Sequence, residues 1–231
     1  MENVPEVIGT NNIKHFSDWV ARLDEWGYYS KWQILNGTDF NMPQSRKRCF
    51  MVSVLGDYYY NFPNPIGCEL RLKDMLEQNV NEKYYLSAET IDRIMHWNAQ
   101  QDPLKDIDKE KAISPCITAR GAGEEHSGMI LINEKATKKD FKLYDYYNKR
   151  EIDNKQVGTI TTGCATNGSG TFLVEEPRIR KLTPRECFRL MGVKDEDFDK
   201  IAKNQSDSSL YHLAGDSIIT NCLMAIFKEM I

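Results

Sequence analysis

Five cations, Arg178, Arg180, Lys181, Arg185 and Arg189, fall in a stretch whose one acid is Glu186, on a chain of net charge −4. Positive groups gathered on a rigid element suit phosphate binding, although charge alone fits a solvated helix face equally well. Gly215-Asp216-Ser217 precedes a final apolar stripe and is expected to offer free N–H groups to a ligand at a helix start. Thr161 and Thr162 end a strand-like segment just before a glycine-rich loop, a second candidate contact. Two further groups carry chemistry only in context. Glu2 and Asn3 place a carboxylate beside an amide, and Gln44, Arg46 and Arg48 lie in a polar, basic loop. By spacing alone the first is a solvated terminal acid and the second a turn between strands.

The elements that would hold these residues are readable. Thr183 and Glu186 are spaced as a capping box, Pro184 stands at the first helical position and Gly192 follows the last apolar residue. The signals predict a helix over 184–191, with an extended segment before it. On that helix Arg185 and Arg189 share a face, and Arg178 and Arg180 share one in a strand. Upstream, Ile13, Phe16, Val20 and Leu23 recur at helical spacing between Asn12 and Gly27. Ser30–Leu35 and Arg48–Leu55 read as strands, the second apolar enough to be buried. A boundary is expected near 57–68. Beyond it the reading gives a helix over 88–97 capped by Ser87, and strands at 114–121, 129–132, 157–163 and 172–174. The mixed basic and aromatic residues of 135–156 read as a hydrated surface insertion. After Gly192 comes a polar stretch, then a last helix with Ile218, Ile219, Cys222, Leu223, Ile226 and Met230 along one stripe.

The totals restrict the classes. A chain of 231 residues, 41% apolar and 28% charged, has an ordinary globular balance. With a pI near 5.7, any nucleic-acid contact must come from local patches. Six scattered cysteines with no C-x-x-C pair give little support to a metal site and fit reduced thiols in a cytoplasm. No secretory pattern opens the chain, and no apolar run approaches a bilayer's thickness, so no membrane partner is expected.

Four blocks in order give a more specific reading. Glu2-Asn3-Val4, then Gln44-Ser45-Arg46-Lys47-Arg48, then Arg180-Lys181-Leu182-Thr183-Pro184-Arg185-Glu186-Cys187 with Arg189-Leu190-Met191-Gly192, then Gly215-Asp216-Ser217, resemble the motifs of the cytosine-5 DNA methyltransferases. The resemblance implies an α/β fold: the C-terminal portion of a Rossmann-like S-adenosylmethionine-dependent domain plus a small β-rich target-recognition domain. It implies a catalytic tail over 1–62, recognition over 63–206, and a helix returning to the catalytic domain over 207–231. The partner would be double-stranded DNA and the cofactor S-adenosyl-L-methionine, in a restriction-modification or phage system. The family flips a cytosine from the duplex, adds a cysteine thiolate at C6 and methylates C5. Glu2 would then act at N3 with Asn3 positioning it. Arg48 would face O2, Arg46 would orient the pocket and a nearby phosphate, and Gln44 would lie under the flipped nucleotide. Asp216 and Ser217 would meet the cofactor, with Asp standing where the family usually has Asn. Arg178, Arg180, Lys181, Arg185, Arg189, Thr161 and Thr162 would contact DNA. The family's Pro-Cys-Gln and Phe-x-Gly-x-Gly blocks have no match here, and Cys116, followed by Ile117, reads as a strand residue. The expectation is an incomplete enzyme that needs an N-terminal partner; the alternative is an inactive DNA-binding fragment.

Overall fold

The computed structural model describes residues 1–87, 89, 128–132, 141–145, 150–152, 157–158, 172–175 and 178–230. The expected helix over 88–97, the segment 114–121 with Cys116, and Thr161 and Thr162 lie outside the described residues.

The first part is a layered α/β unit. Strand β1 (Glu2–Asn3) leads through a short 3-10 turn, Pro5–Ile8, to helix α1 (Ile13–Glu25). Gly27, at φ 82°, turns the chain into β2 (Tyr28–Asn36). After β3 (Gln44–Ser45) comes β4 (Lys47–Leu55), the centre of a three-stranded sheet in the order β1-β4-β2, antiparallel throughout. Side chains alternate across β4. Cys49 and Met51 share the face that carries Trp32 of β2, against which Phe16 of α1 packs edge-on at 5.1 Å. Phe50 faces the other way, into a core with Leu35, Phe40, Tyr60, Met191 and Ile219.

The second part contains an antiparallel sheet of β5 (Gly128–Ile132), β6 (Phe141–Asp145), β7 (Arg150–Ile152), β9 (Phe172–Glu175) and β10 (Arg178–Lys181). Its order is β10-β9-β6-β5, with β7 also on β6. Residues 141–145 therefore correct the surface-insertion reading, because β6 pairs on both sides. The alternation Phe141, Leu143 against Lys142, Tyr144 was the overlooked strand signal. A two-residue parallel pairing joins β3 to β8 (Val157–Gly158), tying the two parts together.

Helix α2 (Pro184–Leu190) forms as its sequence dictates. Thr183 Oγ accepts from Glu186 N–H at 3.2 Å, Glu186 accepts from Thr183 N–H at 2.8 Å, and Gly192 closes the turn at φ 79°. The stretch expected to be merely polar holds α3 (Asp195–Ala202), whose first turn carries Asp195, Glu196 and Asp197 as the helix dipole favours. Helices α4 (Asp207–Asp216) and α5 (Thr220–Lys228) follow. Leu210, Tyr211 and Ala214 of α4 pack with Leu72, Leu182, Phe188 and Phe198, whereas Cys222 and Ile226 of α5 join the core of the first sheet. The return to that sheet is therefore made by α5.

Asp207–Lys228 is 22 residues long and includes an 18-residue window of mean hydropathy 1.2, enough by length and composition alone to cross a membrane. The chain breaks it into two helices, and each buries one side in a protein core.

Candidate active site

Glu2 and Arg48, distant in sequence, meet on adjacent strands. The register sets Glu2 opposite Phe50, which places it diagonal to Arg48 on the same face of the sheet. Arg48 Nε lies 3.1 Å from Glu2 Oε1, with the two side chains 14% and 21% exposed. Arg48 Nη1 also donates to Lys47 O at 2.8 Å. The result is a carboxyl group and a guanidinium on a stiff backbone, sheltered yet reachable. Asn3 uses its side chain locally, Oδ1 accepting from Val4 N–H at 2.8 Å, and so fixes the chain just past Glu2.

Other site residues behave differently from expectation. Arg46 is 4% exposed and donates through Nη2 to Gly215 O and Ser217 O, at 2.7 and 3.0 Å. Its guanidinium is directed inward, to the end of α4. Gln44 is buried, with its amide oxygen and nitrogen unpaired among the described residues, and its backbone belongs to the β3–β8 junction. Gly215 and Asp216 close α4, and the next helix begins only at Thr220, whose N–H already bonds Met191 O. The turn thus offers helix-end carbonyls where free N–H groups were expected. Asp216 is exposed, and Ser217 Oγ donates to Ala214 O at 2.9 Å.

Three of the five cations of the basic stretch pair with carboxylates of the chain itself. Arg180, 2% exposed, makes a bidentate pair with the fully buried Glu186: Nη1–Oε2 is 2.9 Å and Nη2–Oε1 is 3.0 Å. The side chain points into the protein, with its fork on Glu186. Arg185 pairs with Asp199 at 2.6 Å and Glu77 at 3.3 Å and lies over the Phe198 ring. Arg189 grips Asp195 with two bonds, at 2.8 and 2.6 Å, and reaches Met75 O. That pairing, foremost its hydrogen bonds, holds the Asp195 carboxyl below its usual range and raises Arg189. Lys181 N-terminal to the helix is half-buried, and for Arg178 the structure describes only the strand backbone. Sequence reasoning missed Glu77, Asp195 and Asp199. The acidic run at 195–199, beside cations spaced four apart, was the available signal.

Cys49 adjoins Glu2 on the sheet but is no substitute nucleophile. It is completely buried, and burial, then the Glu2 carboxylate, push its thiol up. Among the described residues no group of His, Cys, Asp and Glu could hold a metal ion.

Comparison with known proteins gives this arrangement a family. The profile of the C-5 cytosine-specific DNA methylases matches residues 1–231. The type II methyltransferase M2.ScrFI of Lactococcus lactis subsp. cremoris is 30% identical over 231 residues, an alignment covering 100% of this chain and 53% of that protein. The type II methyltransferase M.Bsp6I of Bacillus sp. strain RFL6 is 31% identical over 239 residues, covering 100% of this chain and 64% of its own length. The chain thus spans about half to two thirds of the curated relatives it matches. A solved Spodoptera frugiperda DNMT2 variant superposes with TM-score 0.63 at 14% identity, over 100% of this chain and 65% of that one. At that identity the likeness shows the fold alone, an α/β methyltransferase fold. The chain belongs to the C-5 cytosine-specific DNA methylase family.

Proposed function

We propose that the chain is the C-terminal part of a DNA (cytosine-5)-methyltransferase of a restriction-modification or phage system. It would act on a cytosine flipped out of duplex DNA, together with an N-terminal part that supplies the thiolate and most of the cofactor site. The observation that carries this reading is the Glu2–Arg48 pair, 3.1 Å apart on neighbouring strands. Attack at C6 moves electron density onto N3 and O2 of the ring. A carboxyl group holding a proton at N3, beside a guanidinium at O2, stabilises charge that develops only as that bond forms. The sheet fixes both groups before the base arrives, so little reorganisation is needed.

S-adenosyl-L-methionine would supply the methyl group. This chain's share in holding it fits only in part. The exposed Asp216 carboxylate, acceptor-only, can receive a cationic donor such as an ammonium, whereas Ser217 Oγ is directed to Ala214 O. The recognition region is read as residues 63–206, and the protein as cytoplasmic.

The test is complementation. The chain is mixed with the product of an adjacent upstream frame encoding Pro-Cys-Gln and Phe-x-Gly-x-Gly, and transfer of labelled methyl to duplex DNA is followed. Transfer by the mixture and by neither part alone is the expected result. Transfer by this chain alone would contradict the split reading. Salt-sensitive DNA retention with no transfer under any complementation would favour the DNA-binding fragment instead.

A further inference from the structure

Arg46 and Arg48 are two residues apart, yet the structure directs them to different places. Arg48 leans on Glu2, whereas Arg46 runs inward to the end of α4. There the last carbonyls of a helix lack intrahelical partners and carry partial negative charge. No left-handed glycine closes this end: Ser217 caps it in an extended conformation, at φ −74° and ψ 164°. Arg46 supplies the missing donors, binding Gly215 O and Ser217 O with one nitrogen. Ser217 tightens the same turn through its N–H and Oγ, both donating to Ala214 O, at 3.3 and 2.9 Å. Asp216 sits between the two carbonyls that Arg46 holds, with its own side chain exposed.

We infer that Arg46 is a positioning residue for the Asp216–Ser217 turn and touches neither the flipped base nor a phosphate. It acts by fixing the turn's backbone, so that the Asp216 carboxylate is presented from a rigid site. Because Arg46 is continuous with Arg48, it also ties that turn to the strand carrying the Glu2–Arg48 pair. The inference rests on the proposed cofactor role of Asp216 and Ser217 for its functional consequence, but the positioning itself can be tested without that role.

The experiment compares Arg46→Gln, Arg46→Lys and, as control, Arg48→Gln in the full chain. Amide hydrogen exchange is followed at residues 214–217, and the salt dependence of affinity for a labelled DNA duplex is measured in parallel. Arg46→Gln is expected to speed exchange there by roughly tenfold or more, from the loss of charged donors to buried carbonyls. Arg46→Lys recovers part of the protection, and Arg48→Gln leaves it unchanged. The slope of log affinity against log salt is expected to be the same in Arg46→Gln and the parent chain. A slope shallower by about 0.9 would mean a lost phosphate contact and would overturn the inference. Unchanged exchange at 214–217 would overturn it too. Should Arg46→Gln fail to fold, Arg46→Lys decides, since only a local role gives loosening confined to that turn. In the complemented enzyme, KM for S-adenosyl-L-methionine should rise more than kcat falls, with Lys restoring it. Failure of complementation would count against the proposed function and leave the exchange result standing.

Discussion

Replacing Glu186 by Gln separates the two readings of the basic stretch. The Glu186 carboxylate is fully buried and accepts four bonds: from Arg180 at 2.9 and 3.0 Å, from Thr183 N–H at 2.8 Å and from Glu77 N–H at 2.9 Å. Gln keeps the shape, but its NH2 group must face at least one of these donors, and it leaves Arg180 buried without its charge partner. Breaking a buried pair from one side costs about 3–5 kcal/mol. That is a large share of the roughly 5–15 kcal/mol that holds a typical domain together. Urea unfolding, read by circular dichroism and tryptophan fluorescence, should show the midpoint falling sharply for Glu186→Gln. Arg180→Met should fall by a similar order, because it strands the carboxylate. The double variant should recover part of the loss, since it buries no lone charge. If the single variants stay within about 0.5 kcal/mol of the parent and Arg180→Met weakens DNA binding selectively, the pair is not structural. Arg180 would then be a phosphate ligand after all.

Glu2→Gln is expected to abolish or strongly reduce methyl transfer in the complemented enzyme, by about 10²–10⁴-fold for the loss of a positioned acid, while duplex affinity, measured by anisotropy, changes little. Cys222, whose thiol burial pushes up to about 12, should resist maleimide in the folded chain and react on unfolding; labelling before any unfolding would contradict its placement. Asp195 has a lowered folded value, so its contribution is present above the unfolded carboxylate range and is lost as pH falls through the folded one. Asp195→Asn should therefore flatten the acid limb of stability below about pH 4, modestly because the carboxylate is partly exposed and screened. Gly192→Ala should cost at least about 1–2 kcal/mol in a urea melt, since φ is 79° and an added Cβ would run into Thr220 Oγ1.

Local signals in the sequence carried the elements that they alone determine. The capping box and Pro184 set α2, and apolar periodicity set α1, because both depend on residues within a turn or two of one another. Charge destination was not legible. Five cations beside one acid looked like a surface for phosphate, but which carboxylate a guanidinium meets depends on how α3 and the segment at 77 pack on α2. The same holds for Arg46. Nothing local says that it turns away from Arg48 toward a helix end far along the chain. Motif order, by contrast, assigned Glu2 and Arg48 to one expected pocket, and the strand register joins the two side chains in space.

That register is what the functional reading depends on. Side chains on a strand alternate faces, so a slip of one residue between β1 and β4 would place Glu2 on the side of Cys49 and Met51, away from Arg48. The slip is resisted from both faces. Phe50 is buried in the core with Leu35 and Ile219, while Cys49 and Met51 are buried on the other side. Main-chain bonds pair Met1 with Met51 at 2.8 and 2.9 Å and fix the start of β1 against β4. The pairing with β2 runs without a break from Tyr28–Leu55 to Asn36–Lys47, so β4 cannot shift alone. A polar contact that could be lost by one residue of sliding is thus held by apolar residues that take no part in proton transfer. Substituting Phe50, which pairs with Glu2 in the register but carries no titratable group, by Ala should therefore cost stability of about 3–5 kcal/mol. It should also lower the activity of the complemented enzyme even under conditions where the chain stays folded. If activity per folded molecule were unchanged, the pair would owe its geometry to something other than the sheet.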